Sequence, residues 1–244
     1  MDQPVALITG GAKGIGRGIA LDLAAEHWRI ALCYRTSEAE ANATAKDIMA
    51  RGGRSLAIRC DVSDPVAAKN LVAQVEQEWG RIDVLINGAG PYHRINLFDE
   101  TVEGWNEMFD GNLHPIFYLA QAVAPGMKTR KAGRIINFSM ANADQMEAQP
   151  DVTGHYIAKA GVLILTRTLA KLLAPYGITV NAISPGFIDS GSAPPQELAA
   201  MTKRIPAGYI GTIDDTVAAV RYLLSEEARY VNGANIQISG GWGI

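Results

Sequence analysis

Short apolar runs alternate with amphipathic ones along the whole chain. Residues 5–8, 30–34, 55–59, 84–86, 134–138, 179–183 and 235–238 are strand-sized and mostly continuous in apolar character. Continuous runs of this length suit strands covered on both faces, as in a parallel sheet. Between them, residues 15–26, 38–51, 65–79, 101–128, 156–174 and 213–224 carry apolar positions at helical spacing. Seven strands alternating with helices predict an α/β fold: a doubly wound, seven-stranded parallel sheet with right-handed crossovers and helices on both faces. The pattern has no repeat, low-complexity tract or linker, so residues 1–244 read as one domain. Such sheets bind ligands beyond the carboxyl ends of their strands. Chemistry is therefore sought just after each strand.

The first such place is Thr-Gly-Gly-Ala-Lys-Gly-Ile-Gly at 9–16, between the first strand and the first helix. Gly10, Gly14 and Gly16 permit backbone angles and close ligand approaches that side chains forbid. The helix beginning there points free N–H groups and its positive dipole end at the turn. Strand, glycine turn and helix together predict a Rossmann-type pyrophosphate site that includes Lys13 and Ile15. After the second strand come Tyr34, Arg35 and Thr36, with no acid before Glu38. An acid near here usually binds the ribose 2′-hydroxyl of NAD. Two cations, Lys13 and Arg35, suit a 2′-phosphate instead, which favours NADP(H). The other reading is that both are ordinary solvated surface charges.

Composition narrows the classes. Of 244 residues, 48% are hydrophobic and 19% charged, enough for a full core and too ordered a balance for disorder. The net charge of −3 is spread among interspersed acids and bases, which argues against nucleic-acid or anionic-membrane partners. No apolar stretch could span a bilayer. The first strand follows Met1 almost at once, so a cytoplasmic location is expected. Cys33 and Cys60 sit in strand-like runs without metal or redox spacing and read as buried free thiols. No metal site is expected.

The Thr-Gly-x-x-x-Gly-x-Gly spacing resembles the short-chain dehydrogenase/reductase family, and the resemblance runs through essentially the whole chain, most closely to members described as 3-oxoacyl-carrier-protein reductases. It implies that Asp61 and Val62 contact the adenine, although Asp61 or Ser63 could simply cap the next helix. Asn87-Gly88-Ala89-Gly90 matches the family's Asn-Asn-Ala-Gly except at Gly88, where the sheet-stabilising bonds of a second Asn are lost. The resemblance implies that Asn112 bends its helix and holds a water that relays protons to the Lys. It also implies that the turn at Pro185 and Gly186, with Ile188 and Ser190, grips the nicotinamide carboxamide. A segment at about 188–210 lies over the site as a lid. Gln145, Met146, Phe187, Pro194 and Met201 are candidates for the substrate pocket.

The catalytic half is irregular. The family's second Ser after the fifth strand is Met140 here, and Ser139 precedes it. A thioether donates no hydrogen bond. Lys159-Ala160-Gly161 fits the family's Tyr-x-x-x-Lys helix and also implies a hold on the cofactor ribose. Yet His155 stands four residues before Lys159, and Tyr156 stands three before it. Both positions share the Lys face of a helix. Tyr156 is the expected proton donor if the helix start is shifted or frayed, with Ser139 assisting; His155 is the alternative. Two functions follow. One is an NADP-dependent oxidoreductase moving a hydride between nicotinamide and a carbonyl or secondary alcohol. The other is a family-like protein that holds NADP without turnover. Residues 156–174 are apolar around most of the helix, which predicts burial on more than one side. The resemblance implies the partner: a second copy, in a homo-oligomer, most simply a tetramer.

Overall fold

Seven parallel strands form one sheet, in the spatial order Arg54–Arg59, Arg29–Tyr34, Val5–Thr9, Val84–Asn87, Gly133–Phe138, Ile178–Pro185 and Asn235–Ile238. The structure, a computed structural model, describes residues 3–191 and 195–244. The elements in chain order are β1 (Val5–Thr9), α1 (Gly14–Ala25), β2 (Arg29–Tyr34), α2 (Glu38–Ala50), β3 (Arg54–Arg59), α3 (Pro65–Trp79) and β4 (Val84–Asn87). There follow α4 (Val102–Asn112), α5 (His114–Arg130), β5 (Gly133–Phe138), α6 (Thr153–Leu173) and β6 (Ile178–Pro185). The chain ends with β7 (Ile188–Asp189), α7 (Pro195–Thr202), β8 (Gly211–Thr212), α8 (Ile213–Leu224) and β9 (Asn235–Ile238). All seven expected strands are present, within two residues at each end. The two-residue strands β7 and β8 pair with each other outside the main sheet and are too short to leave a periodic signal.

Every residue of β1 and β4 is buried. Such strands need helices on both faces, and they have them. Leu7, Leu85, Ile135 and Val180 pack beneath α3, α5 and α6 with Leu71, Val75, Leu119 and Val123. Ile8, Leu32, Ile86 and Ile136 pack on the other side with Ile19, Leu23, Val217 and Leu223 from α1 and α8. The chain runs outward through β1, β2 and β3, then returns to place β4 on the other side of β1. This reversal opens a crevice above the ends of β1 and β4, where Thr9 lies beside Cys33 and Asn87 in register.

Three local outcomes differ from the sequence expectation. The cap of α3 is Asp64, which accepts from Val66 N and Ala67 N at 2.7 and 3.1 Å, with Pro65 opening the helix. Asp61 instead accepts from Ser63 N and Oγ at 3.0 and 2.7 Å in a local turn. The expected single helix at 101–128 is broken at Leu113 into α4 and α5. Pro115 has no N–H to offer the preceding turn, and the Asn112 side chain donates to Met108 O at 2.9 Å. Finally, α6 begins at Thr153, three residues before the expected start, with Tyr156 N already bonded to Val152 O at 2.9 Å.

Candidate active site and cofactor cleft

A cleft of about 780 Å³ opens above the ends of β1 to β4. Its floor is the glycine turn. Gly10 and Gly14 have φ of 68° and 55°, a region closed to most side chains. A Cβ on Gly16 would collide with the Gly10 carbonyl, whereas the nearest atom to one on Gly14 is Ser190 Cβ at 3.8 Å, so that face is open. No side chain caps α1 and no acid stands in its first turn. The first N–H groups of α1 are therefore left for an anionic ligand. The Thr9 hydroxyl accepts from Gly88 N and Ala89 N at 3.1 and 3.2 Å, fastening the small-residue turn after β4 to the end of β1. These features fit a dinucleotide pyrophosphate. The Asn87 amide donates to Asn137 Oδ1 at 2.8 Å, and Asn137 donates to Thr166 Oγ1 at 2.9 Å. This chain, with Thr9, ties the strand ends together although Gly88 has no side-chain amide.

Lys13, Ile15, Tyr34, Arg35, Thr36, Asp61, Val62 and Gly90 line the same cleft, and so does Ser190, which was expected with the turn at Pro185 and Gly186. Cys33 and Cys60 line it too. Cys60 is half-buried rather than buried, and the Cys33 thiol lies 3.6 Å from its carbonyl. The opposite wall was not foreseen: Glu103, Glu107 and Asp110 of α4 face the cleft beside Gly111. Their spacing of four and three residues puts them on one helix face, and that signal was present in the sequence. Among the described residues, no group of three or more His, Cys, Asp or Glu could hold a metal ion, and no helix is long and apolar enough to cross a membrane.

The expected catalytic residues gather where β5 and α6 meet α4, and they are not equivalent. Lys159 is 7% exposed and donates to Phe138 O at 2.8 Å. Burial lowers its pKa to about 8. Asn112 donates to Pro91 O at 3.0 Å and keeps a buried Oδ1 without a partner among the described residues. Gly90 must be glycine here, because a Cβ would strike that Oδ1. Ser139 donates to the Lys159 carbonyl at 2.8 Å, so its hydroxyl fastens α6 to β5 and does not turn into the cleft. Met140 packs against the small apolar cluster of Ala143, Leu163 and Ala182.

Tyr156 is turned away from Lys159. Its hydroxyl donates to Asn142 O at 2.8 Å and accepts from Glu147 N at 3.0 Å, strapping down the loop after β5. Because α6 starts early and is not frayed there, His155 takes the position one helical turn before Lys159. His155 is 8% exposed, and its Nδ1 has no hydrogen-bond partner among the described residues. The Tyr92 ring meets the imidazole edge-on at 5.0 Å and 86°. Burial first, then the Lys159 charge, push the imidazole pKa down to about 4, against a smaller opposing effect from the Pro91 carbonyl.

The turn after β6, residues 185–188, does not line the cleft. Pro185 O accepts from Ala141 N, and Gly186 N donates to Ile238 O, both at 2.9 Å. A side chain on Gly186 would press on Ser239 at 3.0 Å. Phe187 stacks near Trp242 at 4.6 Å, and Ile188 enters β7. Pro194 lies outside the described residues.

A family model described as enoyl-(acyl carrier protein) reductase matches residues 10–243. The chain belongs to the short-chain dehydrogenase/reductase family. It is 37% identical over 239 residues to the 3-oxoacyl-[acyl-carrier-protein] reductase FabG of Staphylococcus aureus strain Mu50, covering 97% of this chain and 96% of that one. The 3-oxoacyl-[acyl-carrier-protein] reductase of Synechocystis is 34% identical over 238 residues, with the same coverage. Among solved structures, the acetoin dehydrogenase YohF of Salmonella typhimurium superposes with a TM-score of 0.88 at 30% identity, over 98% of this chain and 97% of that one. A short chain dehydrogenase of Bacillus anthracis gives 0.90 at 33% identity, over 99% and 97%. This short-chain dehydrogenase/reductase is thus an oxidoreductase that works with a nicotinamide cofactor, on a Rossmann-type sheet.

Proposed function

We propose that this enzyme is an NADP(H)-dependent reductase of small carbonyl compounds, with 3-oxoacyl thioesters the first class to try. The observation that carries the cofactor reading is the pair Lys13 and Arg35 on the cleft wall, with no acid between β2 and Glu38. Nicotinamide, when bound, gives or takes the hydride. The residues of this chain do the rest. The glycine turn and the start of α1 hold the pyrophosphate. Lys13, Arg35 and Thr36 take the 2′-phosphate. Asp61 and Val62 meet the adenine. Gly88, Ala89 and Gly90 allow close approach of a ribose, which Lys159 grips. Pro185, Gly186, Ile188 and Ser190 flank the carboxamide. The lid expected at about 188–210, of which residues 192–194 lie outside the described residues, would close over the single domain.

For the proton, His155 and Lys159 act together. An imidazole with a pKa of about 4 is neutral at pH 7 and offers the substrate oxygen a hydrogen bond. Lys159, with a pKa of about 8, is the group matched to release a proton near neutrality. Asn112 Oδ1 positions a water on the same route. The working unit is a homo-oligomer.

The test is NADPH oxidation by the purified chain against a panel of 3-oxoacyl thioesters and small ketones. Losing a charge-assisted contact costs roughly 1.5–3 kcal/mol, so Arg35→Ala should weaken NADPH binding at least about tenfold and leave NADH nearly unchanged. Equal affinity of the unmutated protein for both cofactors overturns the NADP reading. Tight NADPH binding with no turnover on any carbonyl favours a binding protein.

A further inference from the structure

Arg35 is not alone in its part of the cleft. Its guanidinium Nη2 lies 3.7 Å from Glu107 Oε1, an ion pair just beyond hydrogen-bond length. The other carboxylate oxygen of Glu107 lies closer to the imidazole of His93, 3.3 Å from Nε2. His93 is flanked on its far side by Glu100 Oε2 at 3.9 Å from Nδ1. Glu107 is therefore anchored from behind by His93 while facing the cofactor cleft. Glu103 and Asp110 face the same space from the same helix. A group bound by Arg35 must approach this carboxylate.

We infer that Glu107 sets the cofactor preference of this enzyme, holding down its affinity for the phosphorylated dinucleotide. The inference rests on the proposal that Arg35 takes the 2′-phosphate. A phosphate seated on Arg35 brings about two negative charges close to the Glu107 carboxylate, and it competes with that carboxylate for the same guanidinium. A ribose bearing a plain 2′-hydroxyl brings no charge and meets neither cost. Both side chains are partly exposed, 57% and 39%, so solvent screens the repulsion and the effect is moderate. Glu107 thus keeps NADPH exchangeable and NADH usable in a cleft whose cations alone would favour NADPH strongly.

The experiment is calorimetric titration of NADPH and NADH into the full-length protein and its Glu107→Gln variant, which keeps the side chain's size and removes only its charge. NADPH should bind roughly three- to tenfold more tightly to the variant, with NADH within about twofold of the unmutated protein. The gain should shrink in 0.5 M salt. It should also shrink in an Arg35→Ala background, because half of the mechanism is competition for Arg35. Glu103→Gln, which removes a neighbouring charge with no ion pair to Arg35, should give a smaller gain. Unchanged or weaker NADPH binding in Glu107→Gln overturns the inference; weaker binding would mean that Glu107 orients Arg35 for the phosphate. The two readings fail separately. If Arg35→Ala weakens NADPH and Glu107→Gln does nothing, only the role of Glu107 is lost. If Arg35→Ala leaves NADPH unchanged, the phosphate seat itself is misassigned.

Discussion

His155 has the chemistry of a buried neutral imidazole. The sign of its effect on stability follows from the two pKa values. An exposed imidazole titrates near 6.5, and in the fold the value falls to about 4. Between these limits the unfolded chain binds a proton that the native chain does not. Stability is therefore undiminished by this group above about pH 6.5, falls as pH drops below it, and has lost the full amount by about pH 4. At pH 5 the loss is about 2 kcal/mol relative to pH 7. Urea unfolding of the unmutated protein and of His155→Phe at both pH values should show that much extra acid loss in the former. An equal loss in both would mean that the imidazole reaches solvent. The buried Nδ1 has no hydrogen-bond partner among the described residues, and an unsatisfied polar atom costs roughly 1–3 kcal/mol.

The start of α6 places His155 within the helix, one turn from Lys159. Successive residues on a helix are about 100° apart. With the helix already formed at Thr153, His155 stacks one turn above Lys159, and Tyr156 swings to the loop after β5. Tyr156 spends its hydroxyl on Asn142 O and Glu147 N. Tyr156→Phe should accordingly lower stability by about 1–3 kcal/mol and alter kcat by only a few fold. His155→Ala should cut kcat by ~10²–10⁴ with NADPH affinity retained. Both are read from steady-state kinetics on any carbonyl that turns over, alongside thermal unfolding. The opposite ranking would return the donor role to Tyr156.

At the scale of the whole molecule, helices α5 and α6 leave an apolar surface uncovered. Residues Ala158, Val162, Leu163 and Ala170 of α6 face the core, while Ile157, Ile164 and Leu172 on its other side are 44%, 66% and 62% exposed. Phe117 of the neighbouring helix α5 is 49% exposed. Large apolar residues grouped on adjacent helices mark an interaction face. A second copy of this chain, related by a two-fold axis, would cover it. Light scattering should give an oligomer at micromolar concentration, and Ile164→Glu should shift it toward monomer. A monomer for the unmutated protein would overturn this.

The sheet and the cofactor cleft were legible in the chain itself. Continuous apolar runs identify strands buried on both faces, and glycines at fixed offsets report backbone geometry that is local to one turn. Gly10, Lys13, Gly14, Gly16, Arg35 and Asp61 come to the cleft because each lies in the turn after a strand or in the first residues of the helix that follows it. Other features depended on contacts between distant segments. The opposing acids on α4 become part of the cleft only when that helix packs over it. The break at Leu113 was signalled by Pro115, but periodicity alone ran through it. The roles of Ser139, His155 and Tyr156 were the least readable. His155 and Tyr156 both lie within about a sixth of a turn of the Lys159 direction on α6, and the tertiary contacts of the Tyr156 hydroxyl with Asn142 and Glu147 and of the Ser139 hydroxyl with Lys159 O decide what each side chain does.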